Sequence, residues 1–128
     1  MSGFRWVLAH ACAIPLAFAA GIRVFRLEGG LPFDELVSRL RHAPRLPPVL
    51  ADPAVYARVV GRIVPILPPW GMGRCTKRSL LLLYLWSGCG LEPRLHLGVI
   101  AGGRGHAWVS AGALESGATE AAVEVAAL

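Results

Sequence analysis

A change of hydrophobic period near residue 88 constrains the fold of this chain more than any other feature. Before it, apolar residues recur at helical spacing, and after it they alternate along the chain. Gly88 and Gly90 mark the break. Because the helices and the strands form separate blocks, the sequence predicts the α+β class. With 128 residues, we expect a single domain in which a helical segment over 1–50 packs on a core over 51–128.

The first half of the chain predicts helices that are separated by glycine and proline. Paired glycines at 29–30 end the first helix, and Asp34 lies in the first turn of the second. A third helix starts at Asp52-Pro53, with Asp as the N-cap and Pro in the first turn. The run 80–86 is apolar on almost every side, which predicts a buried central helix.

The second half of the chain predicts a small antiparallel sheet. Residues 94–100 and 106–110 alternate as strands do, and a glycine-rich turn joins them. The tail over 113–128 is rich in Ala, Gly and Glu. We interpret this tail as a weak third strand or a loosely ordered end.

The N-terminal segment 6–22 is nearly uncharged and leaves three interpretations open. It could be a helix packed on the domain or a partner, a signal peptide with a small-x-small site at 17–19, or a membrane-associated segment. It is shorter than the ~20 residues of a spanning helix. The apolar pattern continues past Arg23, which favours one packed helix over 6–27 and makes membrane contact the less favoured reading.

Composition and charge exclude several classes of protein. Hydrophobic residues make up 55% and charged residues 16%, too apolar for a disordered chain. The net charge is +5, and eleven of the 13 basic residues lie within 1–78. Most arginines stand singly among apolar residues, so we do not expect a nucleic-acid partner. The three cysteines (12, 75 and 89) lack zinc-like spacing, so we expect no metal, no cofactor and a reducing, cytoplasmic compartment, with Cys12 and Cys89 in the core.

Cys75 and His106 are the strongest candidates for chemistry. Cys75 follows a glycine-rich loop and opens the predicted central helix, where the helix dipole favours a thiolate. Arg74, Lys77 and Arg78 add positive charge there. His106 begins a strand 31 residues later, an arrangement suited to a thiol–imidazole pair. Taken alone, this spacing favours a buried structural cysteine.

Three blocks of sequence, at 73–80, 90–99 and 105–109, resemble the transglutaminase-like leader peptidases of lasso-peptide biosynthesis. They carry Gly-Arg-Cys-x-x-Arg-Ser-Leu, Gly-Leu-Glu-Pro-Arg-Leu-His-Leu-Gly-Val and Gly-His-Ala-Trp-Val, in that order, and the matched core covers about 55–112. The resemblance implies a papain/transglutaminase-like cysteine-protease fold. It also implies a precursor peptide as substrate, with a leader-recognition protein and an ATP-dependent cyclase as partners.

By position, the resemblance assigns Cys75 as nucleophile and His106 as base, but the family's catalytic aspartate has no counterpart. Residues 107–128 contain no Asp, so Glu115 is the first candidate for the third member and Glu120 the second. A triad acid orients the imidazole and stabilises its charged form. Three functions stay open: a leader peptidase, an acyltransferase or cyclase of small-molecule assembly acting on an acyl substrate, and a non-catalytic scaffold.

Three further residues are candidates for contact with substrate. Arg78 lies one helical turn past the candidate nucleophile, Trp108 shares the strand face of the candidate base, and Trp70 lies in the preceding loop. For Arg78 a structural role is the favoured interpretation, and for Trp108 a place in the core is an equally good one. His96 alternates out of an apolar strand, and we interpret it as a structural histidine.

Overall fold

The computed structural model describes residues 3–66, 74–100, 103–116 and 123–128, and it confirms the α+β class. Within these ranges lie four α-helices and a four-stranded antiparallel sheet. The helices are α1 (Gly3–Glu28), α2 (Phe33–Leu40), α3 (Pro53–Ile63) and α4 (Arg74–Gly88). The strands are β1 (Arg94–Val99), β2 (Gly105–Ala111), β3 (Leu114–Ser116) and β4 (Val123–Ala127).

Helix α1 confirms the prediction of one continuous helix over 6–27, and it contains Pro15. One of its faces packs against α3 and α4. The residues buried on that face are mostly alanines, which let the helices approach closely: Ala13, Ala17, Ala20 and Val24. By length and composition, α1 is the one helix of the described residues that could cross a membrane.

Helices α3 and α4 form the centre of the domain. Asp52 caps α3 as predicted, since its Oδ1 accepts a hydrogen bond from the Ala54 N–H at 3.1 Å. The predicted central helix over 80–86 lies inside α4, and all of its leucines are buried. Trp86 is buried as well, and its indole N–H donates to the Pro53 carbonyl at 3.0 Å. This bond ties α4 to the start of α3.

Two glycines allow the chain to leave α4 and enter the sheet. A Cβ on Gly88 would lie 3.0 Å from the Pro44 carbonyl oxygen, and the Gly88 carbonyl accepts a hydrogen bond from the Leu46 N–H at 2.8 Å. Gly90 has φ +87°, and a Cβ there would lie 2.8 Å from the Arg45 guanidinium. At the break in the sequence pattern, Gly88 therefore allows close approach to the segment around Pro44, and Gly90 adopts a left-handed backbone conformation.

The sheet has the strand order β3-β2-β1-β4. Strands β1 and β2 are the two predicted strands, whereas the tail forms two short strands on opposite edges of the sheet. Beyond β4, the N–H and the carbonyl of Leu128 both bond to Leu95, at 2.7 and 2.9 Å. The tail is too short and too poor in large apolar residues for its alternation to be visible, so pairing with β1 decides its structure.

The two faces of the sheet differ in chemistry. On the core face, Leu95 of β1 and Ala107 and Val109 of β2 are buried in the same cluster as the leucines of α4. The alternate residues point to the other face, which we call the outer face. Its side chains on β1 and β2 are Arg94, His96, His106, Trp108 and Ser110.

Candidate active site

Cys75 is the second residue of α4. Its side chain is half-buried and packs against the hydrophobic core, and its carbonyl accepts a hydrogen bond from Ser79 Oγ at 2.8 Å. The first N–H groups of a helix have no partner within the helix, so this end of α4 attracts negative charge. Arg74 is exposed beside it and adds a cation. The Cys75 thiol therefore lies at the positive end of the helix dipole, next to a cationic side chain.

His106 is the second residue of β2, on the outer face of the sheet. The residue is half-buried, and its ring stacks on Trp108 with 5.8 Å between the ring centroids. On the neighbouring strand it lies opposite Gly98, which has no side chain to cover it. Trp108 therefore flanks the imidazole on the outer face of the sheet.

Packing of α4 against β2 brings together the elements that carry the candidate nucleophile and base. Cys75 lies against the core, while His106 lies on the outer face at the start of its strand. Among the described residues, Cys75 is bonded through its carbonyl to Ser79, and no hydrogen bond joins its thiol to the His106 ring. The described structure therefore places the two side chains on contacting elements and does not bring them into a hydrogen-bonded pair.

Of the three glutamates in the tail, the structure describes two in different places. Glu115 lies opposite Ser110 of β2. Ser110 is four residues along β2 from His106, so the two are roughly 13 Å apart at the usual rise of a strand. Glu124 lies opposite Gly98 on β4, so Glu124, Gly98 and His106 form one row across the sheet. Glu124 is two strands away from His106, or roughly 10 Å at the usual strand spacing of about 4.8 Å, which still places it nearer to His106 than Glu115 is. Glu120 lies outside the described residues.

His96 forms a polar network that the sequence analysis missed. Its Nε2 is hydrogen-bonded to Ser110 Oγ at 2.6 Å, and its Nδ1 to the Glu124 carboxylate. Because a carboxylate only accepts, Nδ1 carries a proton, and in the neutral ring Nε2 accepts from the Ser110 hydroxyl. The His96 ring also stacks on Trp108, with 5.3 Å between centroids. Alternation along β1 and β2 places these groups on one face, but Glu124 joins them only through the pairing of β4.

The candidate substrate contacts have different surroundings. Trp108 is buried on the outer face of the sheet, where its ring stacks on both the His96 and the His106 rings. Arg78 is half-buried, and its Nε is a buried donor with no hydrogen-bond partner among the described residues. Such a donor is costly unless another group satisfies it. Trp70 lies outside the described residues.

The three cysteines are all free thiols and half-buried. Burial, followed by the charge of Asp52, raises the pKa of the Cys89 thiol to about 11, so this cysteine is a poor nucleophile at neutral pH. Within the ranges that the structure describes, no group of three or more His, Cys, Asp or Glu side chains could hold a metal ion.

The chain matches no family model, and it shows no significant similarity to a curated protein or to a solved structure.

Proposed function

We propose that this chain is a thiol enzyme of the papain/transglutaminase-like type, a cysteine peptidase that removes the leader from a precursor peptide in lasso-peptide-type maturation. One observation carries the proposal: α4, which holds Cys75 in its first turn, packs against the core face of β2, and His106 projects from the opposite face at the start of that strand. The three blocks that resemble the leader peptidases include these two elements. A leader-recognition protein and an ATP-dependent cyclase are the partners that the resemblance implies.

In the proposed reaction, the Cys75 thiolate attacks the carbonyl carbon of the scissile amide. The first N–H groups of α4 stabilise the negative charge that develops on the carbonyl oxygen. His106 protonates the leaving amine, and an acyl-enzyme forms on Cys75. His106 then takes a proton from water, which hydrolyses the thioester. If an amine replaces water in this last step, the same residues catalyse acyl transfer.

The test of this proposal is a graded series of variants, assayed with a lasso-type precursor peptide that carries its leader. Mass spectrometry follows the release of the leader. We expect Cys75→Ala to abolish cleavage and His106→Ala to abolish it nearly completely, because a triad works as a unit. Cys12→Ala is the matched control, since it removes a half-buried thiol on another helix and is expected to keep full activity. Full processing by Cys75→Ala would leave only the scaffold function.

The same assay identifies the acid that acts on His106. Glu115→Gln, Glu120→Gln and Glu124→Gln each replace one carboxylate of the tail. We expect Glu124→Gln to cause the largest loss of the three, because Glu124 lies on the same face as His106 and holds His96, which stacks on the same Trp108 ring. A loss confined to Glu115→Gln or to Glu120→Gln would assign the role to that residue instead.

Iodoacetamide labelling with peptide mapping gives a second readout that needs no substrate. We expect Cys75 to be alkylated faster than Cys12 and Cys89 in the folded protein, because thiolates are the reacting species. Faster alkylation of Cys12 or Cys89 would contradict the assignment of the nucleophile.

A further inference from the structure

Helix α1 exposes a continuous apolar stripe on the face opposite to the one that packs on the domain. With the exposed Ala11 included, its members recur every three or four residues or stand side by side, so they share one side of the helix. The exposed large apolar residues of the stripe are Phe4, Val7, Leu8, Ile14, Phe18 and Ile22. At 1.5 Å per residue, the 26 residues of α1 make the helix about 39 Å long.

This stripe is unusual for a helix on the surface of a folded domain. In the most apolar 18-residue window of α1, only 28% of the window is buried. Monomeric proteins rarely leave contiguous apolar patches of this kind in contact with water, and large ones mark interaction surfaces or membrane contact. Because Ala13, Ala17 and Ala20 hold the opposite face on the domain, α1 cannot be surrounded by lipid on all sides. If α1 lies flat on a bilayer, its alanine face stays packed on the domain and its apolar stripe contacts lipid.

Positive charge lies beside the stripe. An apolar groove of about 580 Å³ runs between α1 and α4, and Arg23 and Arg26 are the charged residues that line it. Arg23 stays at this edge because its guanidinium lies 5.9 Å from the centroid of the Tyr84 ring. Ile22 belongs both to the stripe and to the groove, so the two surfaces are continuous.

A further cation flanks α1 nearer to its N-terminus. The exposed Arg58 of α3 donates from its Nε to His10 of α1 at 3.3 Å. Residues 1–78, which include α1, α2 and α3, hold eleven basic and four acidic residues, whereas residues 79–128 hold two basic and four acidic. The excess positive charge thus lies in the part of the sequence that includes α1 and its apolar stripe.

We propose that α1 is an in-plane membrane anchor that docks the protein on an anionic lipid bilayer. The apolar stripe enters the boundary between headgroups and acyl chains, as amphipathic interfacial helices do. Arg23 and Arg26 bind lipid phosphates at the mouth of the groove. An anionic bilayer complements both the apolar and the charged part of this surface.

The experiment is co-sedimentation of the full-length protein with vesicles of phosphatidylcholine, either alone or with one-third phosphatidylglycerol. We expect binding to the anionic vesicles that weakens as salt is raised, because salt screens the arginine–phosphate attraction. Arg23→Gln and Arg26→Gln should each weaken binding about fivefold at low salt. Ile14→Glu should weaken it at least about tenfold, since it places a charge within the stripe.

Val125→Glu is the matched control, because Val125 is also a β-branched apolar residue and is more exposed than Ile14, but it lies on β4 rather than on α1. It should bind vesicles as the wild type does. Circular dichroism and thermal melting of each variant check that the fold is kept. Equal loss in Val125→Glu and Ile14→Glu would overturn the proposal, because binding would then not depend on α1.

Three other outcomes also contradict an in-plane anchor. A native mass that lacks the first ~19 residues means that the segment is a signal peptide. Resistance to carbonate extraction, together with protease protection of the N-terminus, means that α1 spans the bilayer. Absence of vesicle binding with a dimer in solution that Ile14→Glu dissociates means that a second copy covers the stripe.

Discussion

The helical layer and the outer face of the sheet are held together by different kinds of contact. In the helical layer, leucines of α4 and alanines of α1 are buried in one apolar cluster, and shape and volume decide which residues fit. On the outer face, His96 is hydrogen-bonded to Ser110 and Glu124 and stacked on Trp108. Each of those contacts needs one particular partner in one direction.

This difference shows where function can reside in such a small domain. An apolar cluster tolerates exchange between residues of similar volume, so the identities of its residues indicate the fold and say little about function. A directional network loses its contacts when a single atom is changed. The identities of the outer-face residues are therefore the better guide to function, and these residues include the candidate base His106. Variants of the two regions should differ in the size and in the kind of their effects.

The largest effect is expected for Leu82→Ala in α4. Leu82 is completely buried, and its truncation leaves a cavity in the helical layer. We expect the free energy of unfolding to fall by about 3 kcal/mol. Urea denaturation followed by circular dichroism measures this loss. Leu114→Ala is the control, because Leu114 on β3 is exposed and should lose less than about 1 kcal/mol. Equal losses in the two variants would contradict the placement of the core.

An intermediate effect is expected at alkaline pH, from a tyrosine of the helical layer. Burial, with smaller contributions from Cys89 and Cys12, raises the pKa of Tyr56 from 10.0 to about 12. Above pH 10 the unfolded chain therefore releases this proton while the folded protein keeps it. The free energy of unfolding must then fall as the pH rises from about 10 to about 12, by about 2 kcal/mol.

Tyr56→Phe tests this expectation. The Tyr56 hydroxyl is buried and has no hydrogen-bond partner among the described residues, so the variant should be as stable as the wild type at pH 7.5. Urea denaturation at pH 7.5 and pH 11 should show a smaller alkaline loss in Tyr56→Phe than in the wild type. Leu114→Ala, at an exposed residue without a titratable group, should leave the alkaline loss unchanged. An alkaline loss that is the same in both variants would show that other groups cause it.

The smallest effect is expected for the outer face. Glu124→Gln removes the charge from a half-exposed hydrogen bond to His96, so we expect a loss of less than about 1 kcal/mol. Ser110→Ala should cost about 1 kcal/mol. Because both residues bond to the same ring, the double variant should lose a different amount than the two single losses added together. Urea denaturation of the four proteins measures this coupling.

Glu115→Gln is the control for the coupling experiment. Glu115 is an exposed acid opposite Ser110 on β3, and we expect no change in stability when it is replaced. If the losses of Glu124→Gln and Ser110→Ala prove additive, then His96 does not couple the two residues. The contacts of the outer face would then contribute no more than those of an ordinary exposed surface.

Strong local patterns determined most of the helical half of this protein. The apolar run over 80–86 predicts a buried helix because no amphipathic surface helix has that composition, and Asp52-Pro53 predicts a helix start because the side chain caps free N–H groups. The alternation over 94–100 and 106–110 predicts β1 and β2 in the same way. These features depend on neighbours within about one turn or one strand, so the sequence contains them.

Only the tertiary structure decided the edges of the sheet and the composition of the outer face. The tail lacks a strong pattern of its own, and it forms β4 because the free edge of β1 offers hydrogen bonds. That pairing brings Glu124 to His96 from 28 residues away, and it puts Glu124 rather than Glu115 in one row with His106. Contacts between residues so far apart depend on strand register, which local periodicity does not specify.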